Sequence, residues 1–82
     1  MTKAQIKEFL DRLSGEEGCN FQEDLTWKCK GGDNKDYAKA ILKKMGISKE
    51  EQEDLLATCE ETGGHCDCEI LFNSADYLEE NY

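Results

Sequence analysis

Hydrophobic positions recur along this chain with two different periods, and the switches between them mark out its segments. Ile6, Phe9, Leu10 and Leu13 fall at i, i+3, i+4 and i+7, one stripe of a 3.6-residue period. Thr2 and Gln5 fit a capping box, and Gly15 with Gly18 supplies a stop, so the spacing predicts a helix over 2–13. From residue 19 to residue 30 the period falls to 2. Cys19 and Phe21, then Leu25, Trp27 and Cys29, alternate with polar residues, which predicts a hairpin turning near Glu23 and Asp24. A three-residue loop, Gln22 to Asp24, sets Phe21 opposite Leu25 and Cys19 opposite Trp27, so that both apolar sets share a face.

Gly31-Gly32 breaks the second strand, and Asp33 or Asn34 caps a helix running to about Met45 with the stripe Ala38, Ile41, Leu42 and Met45. Gly46 ends it. Ser48 with Glu51 forms a capping box for a third helix to about Thr62, whose buried face is Leu55, Leu56 and Cys59. Gly63-Gly64 closes that helix. Alternation then returns. Cys66, Cys68, Ile70 and Phe72 share one face and Asp67, Glu69 and Leu71 the other, which predicts a strand over 65–73. Ser74 opens a short terminal helix anchored by Tyr77 and Leu78. The order α-β-β-α-α-β-α predicts a single α+β domain over 1–82. In it a small three-stranded antiparallel sheet, the hairpin plus the C-terminal strand, is packed by three helices.

Charge changes what this domain can meet. The chain of 82 residues carries a net charge of −9. Residues 33–46 hold four lysines against two aspartates, whereas residues 47–82 hold eleven acids against Lys49 alone. Such a surface repels phosphate backbones, so no nucleic-acid partner is expected, and a basic protein partner or a solvated face is. No apolar run has the length of a signal peptide core or a membrane span. The expected location is therefore cytoplasmic, away from any membrane, as a monomer or as a weak dimer formed through sheet edges.

A reducing compartment and an odd count of five cysteines argue against a disulfide framework. Cys59 lies on a helix stripe with Leu55 and Leu56 and reads as a small buried hydrophobe. Cys19, Cys29, Cys66 and Cys68 offer the four thiols of a structural zinc site, with His65 as a substitute for one of them. The spacing is no zinc-ribbon signature. In a flat strand residues i and i+2 stand about 6.5–7 Å apart, whereas sulfurs sharing a zinc lie about 3.7–3.8 Å apart. Cys66 and Cys68 can ligate together only where the backbone bends. A thiol-redox or nucleophilic role for Cys66 or Cys68 needs a positive neighbour, and Asp67 and Glu69 flank Cys68 instead. Neighbouring strand residues point to opposite faces, which also separates His65 from Cys66. Asp67 and Glu69 read as a solvated edge, and Gly31-Gly32-Asp33-Asn34 as a turn and cap rather than an anion site.

The run Gly63-Gly64-His65-Cys66-Asp67-Cys68-Glu69-Ile70-Leu71-Phe72-Asn73 resembles the hallmark of an uncharacterised family of small prokaryotic proteins, catalogued as a domain of unknown function. The likeness covers roughly residues 25–75. It implies a prokaryotic cytoplasmic origin and one recurring site containing Cys29, Cys66 and Cys68, and it brings no activity with it. The reading that results is a small non-enzymatic binding or interaction protein, in which the four cysteines are either buried thiols without a metal or the ligands of a structural zinc, its one candidate cofactor. The alternative is a thiol-dependent enzyme or metal carrier using Cys66 and Cys68.

Overall fold

The computed structural model describes residues 1–20 and 34–82, and among these every regular element is helical. Helix α1, Lys3–Ser14, starts on the capping box that the sequence announces: Gln5 N donates to Thr2 Oγ1 at 3.1 Å and Thr2 N to Gln5 Oε1 at 2.8 Å. Its stripe Ile6, Phe9, Leu10 and Leu13 is buried. After Ser14 the chain curls back so closely that a Cβ at Gly18 would fall inside the Leu13 backbone. Cys19 N then donates to the Leu13 carbonyl at 2.7 Å, and Asn20 takes a left-handed φ of 51°.

Helix α2, Asp36–Lys44, buries Ala38, Ile41 and Leu42 and is closed by Gly46 at φ +75°. Helix α3, Lys49–Glu61, is capped by Ser48, whose Oγ accepts from Glu51 N at 3.3 Å, and buries Leu55 and Cys59. Leu42, Leu55 and Cys59 join the α1 stripe, Ile47, Ile70 and Leu78 in one core, with α1 packed against both α2 and the C-terminal helix. Burial raises the Cys59 thiol to about 11, as a small apolar side chain in a core should show.

The α+β expectation fails at the C-terminus. Residues predicted as a strand over 65–73 form instead a short helix α4, Asp67–Glu69, which passes through a π-helical turn, Ile70–Ser74, into helix α5, Ala75–Asn81. Burial explains the difference. Under alternation Phe72 should be covered and Asp67 open; Phe72 is 58% exposed and Asp67 fully buried. The covered positions Asp67, Ile70, Ser74 and Leu78 are spaced three and four apart, which is helical spacing. Without its third strand the three-stranded sheet does not form, and no strand occurs among the described residues. Of the predicted hairpin only Cys19 and Asn20 are described, both in the turn after α1; its remaining residues lie outside the described ones. No described helix is long and apolar enough to cross a membrane.

Candidate functional site

The chemistry-bearing residues gather where the chain leaves α3 and enters α4. Gly63 turns at φ +91°, a left-handed conformation that favours glycine. Gly64 lies so close to the C-terminal helix that a Cβ there would stand 2.5 Å from Ser74 Oγ and 3.0 Å from the Cys59 carbonyl. That carbonyl accepts from Gly64 N at 2.6 Å and from Ser74 Oγ at 3.1 Å. Ser74 Oγ itself accepts from Thr62 Oγ1 at 2.7 Å, and Asn73 Nδ2 donates to the Gly63 carbonyl at 2.9 Å. These bonds fasten the π-helical turn to the end of α3, and Cys66, extended at φ −135° and ψ 172°, becomes the residue before α4.

Asp67 then reaches across to α2. Its Oδ1 accepts from Ala38 N at 2.9 Å and its Oδ2 from Tyr37 N at 3.2 Å, while its own N donates to the Asn34 carbonyl at 3.1 Å. The residue before α2 is Lys35, which provides no side-chain cap. Asp67 therefore caps α2 from about thirty residues away and stabilises its positive end. This corrects two expectations. Asp67 is a buried cap rather than part of a solvated edge. The Asn34 side chain makes a local turn, its Oδ1 accepting from Asp36 N at 3.0 Å, and Asp33 lies outside the described residues.

The two thiols beside Asp67 meet. Cys66 Sγ and Cys68 Sγ lie 3.3 Å apart, and the Cys66 thiol donates to Glu69 Oε1 at 3.4 Å. Cys66 is buried and Cys68 half-buried. The separation that a flat strand would impose disappears because the backbone passes from extended to helical between the two residues. Lys35, buried at 7% exposure, completes the surroundings, donating from Nζ to Glu60 Oε1 at 2.9 Å and to the His65 carbonyl at 3.3 Å. The ammonium holds the Glu60 carboxyl below the usual range.

Of the predicted metal ligands, the structure brings Cys66 and Cys68 together. The His65 side chain is exposed, Cys19 is buried in the turn after α1, and Cys29 lies outside the described residues, as does Trp27. Among the described residues no three His, Cys, Asp or Glu side chains gather as a metal site. Sequence reasoning missed Asp67 and Lys35. Charged residues that fill buried positions leave no apolar signal, although an aspartate on the stripe of Ile70 and Leu78 was there to be noticed.

The chain matches no curated protein and no solved structure. A family described as a protein of unknown function, DUF2695, matches residues 6–73. That span takes in α1 as well as the glycine-cysteine segment, and so extends further toward the N-terminus than the likeness drawn from the motif. The chain belongs to this DUF2695 family.

Proposed function

We propose that the protein is a small non-enzymatic binding module in which Cys66 and Cys68 hold a structural zinc together with Cys29. The observation that carries this reading is the 3.3 Å approach of the two sulfurs, close to the separation of about 3.7–3.8 Å that thiolates on one zinc adopt. The donor chemistry fits, since soft thiolates select zinc over hard cations. The ion would tie the start of the C-terminal helix to the segment that carries Cys29, a cross-link of value to a chain with a small core. Support against the thiol-enzyme alternative comes from Cys66 itself. A reactive thiolate needs exposure, whereas Cys66 is buried, with a carboxylate oxygen 3.4 Å from its sulfur.

Native and denaturing mass spectrometry of untagged protein expressed with zinc tests the reading. A native mass heavier by one zinc, less the displaced protons, is expected, with the excess lost from Cys66→Ser and Cys68→Ser. Chelation should lower the melting temperature of the wild type and leave those variants unmoved. Equal native and denatured masses with an unchanged melt would rule the metal out.

A further inference from the structure

The α2–α3 face carries a basic groove on an otherwise acidic chain. A hollow of about 500 Å³ opens between the two helices, floored by Ala40 and Leu56 and rimmed by Lys39, Lys43 and Lys49. A second hollow of about 290 Å³ shares Lys39 and Leu56 with it and continues to the Lys35–Glu60 pair. Lys35, Lys39 and Lys43 stand at i, i+4 and i+8, so they line one side of the groove as a row. Lys35 is taken by Glu60. Lys39, Lys43 and Lys49 are exposed, and among the described residues Glu53 is the only acid on the rim of the larger hollow. An apolar floor under a row of lysines suits an amphipathic helix of opposite charge.

The C-terminal helix has that character. Phe72 and Tyr77 are its exposed large hydrophobics, at 58% and 45%, and Asp76, Glu79 and Glu80 are exposed beside them. Asp76 and Glu80 lie one turn apart. We propose that the α2–α3 groove receives the C-terminal helix of a second copy of this chain, Phe72 and Tyr77 meeting the apolar floor and Asp76 and Glu80 the lysine row. The contact is reciprocal in a two-fold dimer, each copy giving one helix and one groove. Two small contacts and a charge of −9 on each partner make this a weak association, at the low end of interface sizes. Physiological salt shortens the repulsion between copies to a Debye length of about 8 Å.

Sedimentation velocity of the reduced, full-length chain from micromolar to millimolar concentration is the test. It compares wild type, K39E/K43E, D76K/E80K, and an equal mixture of the two variants. All four substitutions are at exposed positions, and circular dichroism confirms the fold of each variant. Wild type should shift from monomer to dimer with concentration, and each variant alone should associate about tenfold or more weakly, because groove and helix then repel. The mixture should recover the dimer, since an acidic groove then faces a basic helix and a basic groove an acidic one. Wild type that stays monomeric overturns the proposal, as does association that ignores the substitutions or a mixture that stays monomeric. Zinc occupancy does not enter this pattern, so the metal reading can fail without it.

Discussion

At the scale of single residues, Asp67 and Cys59 show what burial does to a charged and a neutral group. Both Asp67 oxygens accept backbone N–H groups from the first turn of α2, so removing them leaves two donors without an acceptor in a covered place. Asp67→Ala should cost about 2–3 kcal/mol, read as a lower urea midpoint with unchanged slope. Asp67→Asn keeps one good acceptor and should lose less than half as much. Equal losses for both would mean that the charge, not the cap geometry, matters at this position. Cys59 makes the opposite case. Its thiol is raised from 9.0 to about 11 by burial, so the unfolded chain ionises first as pH rises. The stability it lends is whole below pH 9 and falls as pH climbs through the interval up to 11, by about 2–3 kcal/mol. Cys59→Ala should be less stable at neutral pH, by the methods of urea titration, yet lose less than wild type across that alkaline interval.

At the scale of elements, the C-terminal helix rests on two glycines and a π-helical turn. Gly64 leaves no room for a side chain between Ser74 Oγ, the Cys59 carbonyl and the Ile70 side chain. Gly64→Ala should therefore force α3 and the π-helical turn apart and lower the melting temperature by several degrees, an overpacking penalty of about 1–3 kcal/mol. Gly46→Ala, with nothing within 4 Å of its Cβ, should show only the strain of its positive φ. A smaller effect at Gly64 than at Gly46 would contradict the tight approach. The same elements mark what the sequence disclosed. Helices α1, α2 and α3 were legible because each pairs an apolar stripe with a glycine just beyond its end, and α1 and α3 add a threonine or serine cap. The terminal helix opening at Ser74 was legible, but its extension back over 67–74 was not, because two of the covered positions are Asp67 and Ser74 while Phe72 stays exposed, so the apolar residues alone alternate. The thiol pair was legible as a motif and illegible as a geometry, since its 3.3 Å approach depends on a bend that alternation denied.

At the scale of the whole molecule, long-range charge and one local ion pair pull stability in opposite directions with pH. Eleven acids crowd residues 47–82, and their mutual repulsion weakens the compact state at neutral pH. Mild acidification relieves that repulsion. Glu60 works the other way: Lys35 holds its carboxyl below the usual 4.5, so its contribution is present above that value and is lost as pH falls through the lowered one. The pair links the residue that begins α2 to the end of α3 and, through the Lys35 bond to the His65 carbonyl, to the turn before the thiols. Stability should therefore peak on the acid side of neutrality, at about pH 5–6, and decline more steeply below it. Urea midpoints taken across the range should show the peak, and added salt should raise the midpoint at neutral pH while flattening the climb toward it. Glu60→Gln should lower the peak and soften the acid limb only, leaving the neutral limb to the remaining acids. The effect is small, because the Glu60 side chain is 55% exposed and such pairs are partly screened. A midpoint that rises steadily from acid to neutral pH would show that paired carboxylates, rather than crowded ones, govern this fold.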